Sequence, residues 1–418
     1  TGGFTITGDG SYLYNLGGTL SIFDNQGTFS RTTSVGIATL DVSVLHSGVA
    51  SVTQGTLALA ESGTYSAPIA VTSPGVVDYS GVTHTFQSLG GASGTGQVRW
   101  LSGTLATTAA TDTARFVSLE LVGGSISPIG VVRVTGTLNW SGVTALGGGG
   151  KTLVPLGGTL NLTGTATRQL NNHTLENGGT ATWSGTFTLN SGSGAILRNL
   201  ATGGFTITGD GSYLYNLGGA VSSFDNLGTL VRSTSVGIAQ VSAQLSKTGP
   251  ISVTSGTLRF TGGSGAALTG TAIASTGTLD FNAGTFTQTG PVDLTGNMLV
   301  SGGSWIPSGF RLTTTADLTI SGGGLLPMTV ATDSVDINGN ATFGGGNGTL
   351  TNGVIRVAGN FTQTGTTSFR GQGGATRHRV VLDGAGTQVV TWADPVNSFF
   401  EILQYQKPAA TQVQFAGN

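Results

Sequence analysis

The chain has 418 residues, including 73 Gly and no Cys, with 16 Lys and Arg against 18 Asp and Glu. Charged residues make up only 8% of it, whereas an ordinary globular protein has about 25%. The lack of Cys excludes a disulfide scaffold and a thiolate metal site, and Gly without a three-residue period excludes collagen. The few cations are spread out, so no nucleic-acid partner is expected, and no apolar run is long enough for a helical membrane span.

The chain contains a large internal duplication. Its first 18 residues, TGGFTITGDGSYLYNLGG, recur unchanged at 202–219, an offset of 201 residues. The similarity continues through the segments that begin at Ser21 and Ser222, and the copies diverge after about residue 60. We therefore expect two tandem units, 1–201 and 202–418, that continue into one rod.

A shorter period lies within each unit. Motifs that follow a Gly-containing turn, such as GTLNL at 158 and GTLDF at 277, recur mostly every 18 to 22 residues. Their apolar residues alternate, as Leu160 and Leu162 do, which is typical of a half-buried strand. The sequence predicts an all-β fold: a parallel, right-handed β-helix or β-solenoid with coils of about 20 residues and a continuous inner core.

The duplicated motifs also predict which side chains are buried. In the first copy, the side chains expected to face the core are Phe4, Ile6, Leu13, Phe23 and Ile37. In the second copy, their counterparts are Phe205, Ile207, Leu214, Phe224 and Ile238. Because side chains alternate along a strand, exposure of these residues would mean that the register is shifted by one position.

The repeats resemble those of a known group of proteins. GGTLNLTG, GGTATWSG and GTLDFNAG, with spacers such as ENGGT and DNLGT, resemble large repetitive secreted and surface proteins of bacteria. Filamentous-haemagglutinin-like adhesins and autotransporter passengers are the known types, and the segment from Val357 onward looks like a module of such exported proteins. The resemblance covers the whole chain. It implies a right-handed β-helix, export and a structural or adhesive role, and it carries over no catalytic residues.

Carboxylates are the first candidates for a catalytic or metal site. Asp333 and Asp336 are close in sequence, but their odd spacing would place them on opposite sides of a strand. The TGDGSY turn carries Asp9 and, in the second copy, Asp210, whose carboxylates could hold Ca²⁺ weakly. We favour the alternative, an Asp-Gly turn that closes a corner of the coil, because the nonapeptide pattern of Ca²⁺-binding solenoids is missing.

The one basic cluster is Arg377-His378-Arg379, with Asp383 nearby. One interpretation is a contact with an anion or an acidic glycan. The other is the solvated start of a strand whose residues 380–382 are buried, and we favour it because an apolar run follows directly.

Histidine and tryptophan positions indicate packing more than chemistry. The histidines have no metal-ligand spacing, so a structural or solvent role is expected for His46, His84, His173 and His378. The tryptophans lie near predicted strand ends, where core packing is favoured over a sugar-binding strip: Trp100, Trp140, Trp183, Trp305 and Trp392.

We therefore expect a structural protein without enzymatic activity, cofactor or metal: an extracellular β-solenoid of a bacterial surface fibre, adhesin stalk or self-assembling filament. Its expected partners are copies of itself stacked end to end or neighbouring repeats of a longer chain, and also host or matrix glycans. The alternative is a carbohydrate-binding or polysaccharide-degrading β-helix, which a groove with several charges and exposed Trp would favour. An ice- or crystal-surface binder is disfavoured, because no T-x-T column persists.

Overall fold

The structure, a computed structural model, describes residues 2–344, 349–409 and 411–416. They form a β-solenoid of about 19 turns with about 21 residues in each turn. Within these ranges the chain forms no helix, and therefore none that could cross a membrane. The predicted all-β fold with parallel stacked strands is confirmed, and the coils are close to the predicted length.

The strands of the described residues are numbered β1 to β50 in chain order. The first 26 are Gly3–Ile6, Gly10–Tyr14, Ile22–Asn25, Thr28–Arg31, Ile37–Asp41, Ser43–His46, Val49–Val52, Thr56–Leu59, Gly63–Tyr65, Pro68–Val71, Val76–Tyr79, Thr83–Phe86, Gly91–Ser93, Gln97–Trp100, Thr104–Thr107, Thr113–Leu121, Ser125–Ile126, Val131–Trp140, Ala145–Leu146, Lys151–Val154, Thr159–Leu162, Arg168–Asn171, Thr174–Asn177, Thr180–Trp183, Leu189–Gly192 and Ile196–Asn199. The remaining strands, β27 to β50, are Gly204–Ile207, Gly211–Tyr213, Tyr215–Asn216, Ser223–Asn226, Thr229–Arg232, Ile238–Val241, Gln244–Lys247, Ile251–Val253, Thr257–Phe260, Ser264–Leu268, Gly270–Phe281, Thr285–Thr287, Val292–Val300, Ser304–Ile306, Arg311–Thr314, Leu318–Ile320, Ser334–Ile337, Ala341–Phe343, Val354–Val357, Phe361–Gln363, Arg379–Leu382, Gln388–Trp392, Ile402–Tyr405 and Val413–Ala416.

The chain divides into two compact units. Unit 1 consists of Thr1–Phe205 and Tyr215–Ser222, and unit 2 consists of Thr206–Leu214 and Ser223–Asn418. The division at residues 201 and 202 that the duplication suggests stays a prediction about the sequence repeat.

In unit 1 a typical coil contributes three strands, and each strand pairs in parallel with its equivalent in the next coil. One column consists of β7, β10 and β13, a second of β8, β11 and β14, and a third of β9, β12 and β15. Inward side chains follow the same register, so that Leu57, Val77 and Val98 stack on one another and are buried. Burial of each side chain of this size contributes roughly 1.5–3 kcal/mol to the free energy of folding. The core is therefore stabilised by similar contributions from successive coils.

In unit 2 the later coils contribute two strands each. One column consists of β43, β45 and β47, and the other of β44, β46 and β48. Val335, Ile355 and Val380 form a buried ladder in the first column. In the second column the rings of Phe343 and Phe361 stack with centroids 5.4 Å apart. Both units are therefore built by the same in-register stacking.

The predicted burial is wrong at Ile37 and Ile238, which are 54% and 41% exposed. The buried residues are their neighbours Ala38 and Ala239. Because side chains alternate along β5 and β32, the true register differs by one position from the one that the larger side chains suggest.

The prediction is also wrong for part of the first copy. Phe4 is 41% exposed, and Leu13 and Phe23 are half-buried, whereas Ile6 is buried as expected. The second-copy residues are buried as predicted: Phe205, Ile207, Leu214 and Phe224. The physical reason is the surroundings: among the described residues β1 pairs only with β4, so Phe4 has a neighbouring coil on one side.

Candidate functional sites

A buried arginine lies at a corner of the first duplicated segment. The Arg31 side chain is 0% exposed, and its Nη2 donates to Asp9 Oδ1 at 2.5 Å and to Gly36 O at 3.1 Å. Its Nη1 donates to Gly8 O at 2.7 Å. Ser34 Oγ donates to the other carboxylate oxygen of Asp9 at 2.5 Å. The hydrogen bond from Ser34 and the guanidinium together hold the pKa of the Asp9 carboxyl below its ordinary value.

Unit 2 repeats this arrangement. Arg232 is fully buried, and its Nη2 donates to Asp210 Oδ1 and, at 3.3 Å, to Gly237 O. Its Nη1 donates to Gly209 O at 2.9 Å, and Ser235 Oγ donates to Asp210 Oδ2. The aspartate, serine and two glycines named at each corner are therefore the same residue types in the two copies.

The corner backbone is shaped around this ion pair. A Cβ at Gly36 would lie 2.5 Å from the Asp9 carboxylate, and Gly237 is equally crowded by the carboxylate of its own copy. Thr33 and Thr234 adopt left-handed φ angles of 70° and 71°, a conformation that is costly for a β-branched residue. The two copies therefore share this backbone geometry as well as the ion pair.

These contacts favour a turn-closing role for Asp9 and Asp210 over Ca²⁺ binding. Both carboxylate oxygens already accept hydrogen bonds from the chain, and the adjacent guanidinium repels a cation. Among the described residues no group of three or more His, Asp or Glu is placed to hold a metal ion.

Opposite charges about one coil apart in sequence meet in the structure. Asp78 and Arg99, 21 residues apart, lie in register and form a bidentate pair with distances of 2.7 and 2.6 Å. Glu120 follows on the next strand, so the charges alternate along the column. In unit 2, Arg259 donates to the fully buried Asp280 at 2.7 Å. The sequence analysis did not predict these pairs; the usable signal is opposite charges one coil length apart.

The acidic residues singled out from the sequence have separate roles. Asp333 is 2% exposed and accepts the backbone N–H of Gly309 at 2.6 Å, whereas Asp336 lies on the outer side of β43. They face opposite sides, as predicted. Asp383 pairs with Arg356 at 3.3 Å and not with the basic cluster.

The basic cluster begins a strand. Arg377 Nε donates to Glu401 Oε1 at 2.9 Å, and this contact lowers the pKa of the Glu401 carboxyl. Arg379 begins β47, and residues 380–382 are fully buried, which confirms the favoured interpretation for this part. His378 is not solvated as that interpretation assumed; it is 0% exposed.

All four histidines are core residues, each between 0% and 4% exposed. His84 Nδ1 lies 2.9 Å from Tyr65 Oη, so this buried ring nitrogen has a hydrogen-bond partner within the protein. Burial lowers the pKa of His84, His173 and His378 to about 4, and it also lowers the pKa of His46. The imidazoles therefore serve as neutral packing groups.

Lys247 occupies the position that His46 has in the first copy. Its side chain is buried, and Nζ donates to Thr269 O at 2.8 Å. Burial lowers the pKa of the Lys247 amine to about 8. Both copies therefore place a polar group inside the core at this point.

The tryptophans pack in the core or at its margin. Trp183 stacks on Phe187 with ring centroids 5.0 Å apart, and Trp392 is half-buried beside Phe361 and Phe400. The fully buried ones, each at most 1% exposed, are Trp100, Trp140, Trp183 and Trp305. These four rings are buried and are not available for a sugar-binding strip, in agreement with the favoured prediction of core packing.

A surface groove runs along one corner of unit 1. Its lining includes Gly75, Gly96, Gln97, Ser118 and Thr137, and the lining contains no charged residue and no Trp. It therefore lacks the features that would favour the carbohydrate-binding or polysaccharide-degrading alternative.

A scan against protein-family models, a search of curated proteins and a search of solved structures each found no match. The assignment as a β-solenoid therefore rests on the sequence and structure of this chain.

Proposed function

We propose that the chain is a structural β-solenoid of an extracellular bacterial surface fibre, adhesin stalk or secreted filament, extended by stacking coil on coil. Its core is a ladder of similar layers, which suits a spacer that grows by repetition. The proposal assigns the chain no catalytic step, cofactor or metal.

One observation carries the proposal: the same segment is found in two different environments. Within unit 1, Gly204 N donates to Gly179 O at 2.9 Å, and Phe205 packs against Trp183 with ring centroids 6.4 Å apart. Phe205 is 1% exposed, whereas the identical Phe4 is 41% exposed. The first-copy segment therefore has the same sequence as the second-copy segment, whose outer edge packs against a preceding coil.

The outer edge of the first coil offers what strand addition needs. Among the residues that the structure describes, its strands pair only with the next coil, and its exposed apolar side chains include Phe4, Tyr12, Tyr14 and Ile22. Such an edge is a template for a further strand. We propose that a coil of a second copy, or of neighbouring repeats in a longer chain, covers it.

Assembly as a function of concentration tests stacking between copies. We expect the chain to associate end to end, as measured by sedimentation velocity and electron microscopy, and Phe4→Asp to weaken this by placing a charge in the contact. Val236→Asp is the matched control, because Val236 is 88% exposed at a bend between β31 and β32. A chain that stays monomeric at high concentration would contradict stacking between copies.

A grafted coil tests the edge directly. Residues 155–201, which precede the second copy, are placed ahead of Thr1. We expect the backbone amide hydrogens of β1 and β2 to exchange more slowly with solvent. The reason is that the graft supplies a preceding coil like the one against which Phe205 packs. Unchanged exchange rates of these amide hydrogens would contradict the proposal that the edge accepts a coil.

The extracellular location is supported by the likeness of the repeats to bacterial surface proteins. Antibody labelling of intact and permeabilised source cells tests it. We expect labelling of intact cells, and labelling only after permeabilisation would rule the location out.

A further inference from the structure

Two arginines of unit 1 differ from the others in their partners. The sequence has 13 Arg, and at least eight of them contact a carboxylate. Arg115 and Arg133 make no side-chain hydrogen bond or ion pair within the described residues. In a chain with so few charges, two cations without a counter-charge call for a physical explanation.

The two side chains lie directly beside each other. Arg115 on β16 and Arg133 on β18 are register partners, and parallel strands lie about 4.8 Å apart. Like charges opposite each other destabilise a sheet. The flanking register positions carry no charge: Gly91 precedes Arg115, and Leu153 follows Arg133. Arg115 is exposed and Arg133 is half-buried, so both are open to a ligand.

Among the described residues, the charged side chains at the adjoining corner and strand form no ion pair with the two arginines. Asp112, at the corner before β16, accepts from Ser88 Oγ and from the Ala109 N–H, both at 2.8 Å. Lys151, on the strand after Arg133, adds a further cation, and its own ion pair is with Glu176 at 2.9 Å. Within the described residues, neither Arg115 nor Arg133 therefore has a carboxylate partner of its own.

We propose that Arg115 and Arg133 bind carboxylate groups of an acidic polysaccharide. Elsewhere the chain supplies the carboxylate from a neighbouring coil, as Asp78 does for Arg99; here the ligand supplies it, in the bidentate geometry that guanidinium favours. This site lies on the side of the coils and goes beyond the stacking function.

The exposure of the pair favours a polymer over a free ion. Ion pairs in water are weak, so a single carboxylate binds poorly, whereas a polymer delivers successive carboxylates at high effective concentration. Nucleic acid fits less well, because the positions around the pair offer no aromatic ring for base stacking: Gly91 and Leu153 in register, and Thr113 and Val131 two residues earlier on the same strands.

Binding of polygalacturonate by the full chain at low ionic strength tests the proposal. Its fully methyl-esterified form, which lacks the charge on the same backbone, is the matched ligand control, and sodium acetate probes the free ion. We expect the Arg115→Gln, Arg133→Gln double variant to bind at least about tenfold more weakly. Arg311→Gln is the control variant, because Arg311 is an exposed arginine paired with Asp293 in unit 2. We expect it to bind as the wild type does.

Arg133→Glu separates binding from folding. It should abolish binding and raise the melting temperature, because Arg115 gains a carboxylate in register. Any one of three results would overturn the proposal. The esterified polymer or duplex DNA could bind as tightly as polygalacturonate does, or the double variant could bind polygalacturonate as tightly as the wild type does. A failure of end-to-end association would leave these outcomes unaffected, since Phe4 and the arginines lie on different surfaces.

Discussion

Arg31 and Arg232 are fully buried cations, and each depends on a carboxylate 22 residues earlier in the chain. The carboxylate side chains are 44% and 43% exposed, so each pair joins a desolvated cation to a hydrated anion. Removing a buried charge's partner leaves that charge uncompensated, which costs more than the intact pair contributes. The corners should therefore be sensitive to loss of the carboxylate.

Replacing Asp210 by Asn tests this sensitivity. We expect the free energy of unfolding of the surrounding coils to fall by about 2–3 kcal/mol, because Arg232 keeps only carbonyl acceptors and solvent screens part of the loss. Hydrogen exchange of the amides of β27 and β31 measures it. Asp24→Asn, at an exposed acid, is the control, and an equal loss in both variants would contradict the argument.

The buried histidines make the fold sensitive to acid. Burial puts the folded-state pKa of His84, His173 and His378 near 4, below the ordinary value of 6.5, so the native state favours neutral imidazole. Their contribution to stability is complete above pH 6.5 and is lost as the pH falls from 6.5 towards 4. Each contributes on the order of 2–3 kcal/mol to this loss.

Thermal unfolding at pH 7 and pH 4.5 measures the effect. We expect the wild type to lose stability between these values, and His173→Gln to lose less, because one group that must be charged is gone. Gln169→Asn, on the exposed side of β22, serves as the control and should follow the wild type. An identical loss in His173→Gln would show that the acid sensitivity arises elsewhere.

At the scale of elements, each strand depends on the strands stacked on either side. Leu279 in β37 is 4% exposed and lies in register between Leu258 and Met298. The identical segments around Phe4 and Phe205 show the same dependence, because their burial differs although their sequence does not. An element here is therefore stabilised by its neighbours more than by its own sequence.

Leu279→Asp should damage the stack locally. An unpaired carboxylate in this core costs several kcal/mol, and we expect the loss to spread over about three coils because each coil contacts mainly its neighbours. Limited proteolysis should cut near residue 280 and leave folded fragments on both sides. Thr276→Asp, at an exposed position of the same strand, should not be cut there. Unfolding of the entire chain in one step would contradict the layered core.

At the scale of the whole molecule, each unit is a stack of similar layers without a single closed core. In such a stack, stability is approximately a sum of layer and interface terms, so unfolding need not be all-or-none. The coils nevertheless differ: unit 1 contains three-strand coils, whereas the later coils of unit 2 contribute two strands.

Calorimetry tests this independence. We expect the calorimetric enthalpy of unfolding to exceed the van't Hoff enthalpy, because parts of the chain unfold separately. Leu279→Asp should move only part of the heat-capacity profile. A single transition with equal enthalpies would mean that the chain unfolds as one cooperative unit.

The sequence by itself determined the architecture. The spacing of motifs such as GTLNL and GTLDF, and the alternation of Leu160 and Leu162, correctly predicted parallel strands in coils of about 20 residues. The reason is that a stacked coil repeats the same local requirement, an inward apolar side chain followed by a turn, and local requirements are written directly in the residues.

The tertiary structure alone decided the register and the partners. It buries Ala38 in place of the larger Ile37, and it leaves Arg115 and Arg133 as register partners with no carboxylate partner in the described part of the chain. Neither result follows from the period, because coils differ by a few residues and a difference of one residue turns every side chain of a strand to the other face. Which charges meet across coils therefore depends on the exact length of each turn, and only the folded stack sets that length.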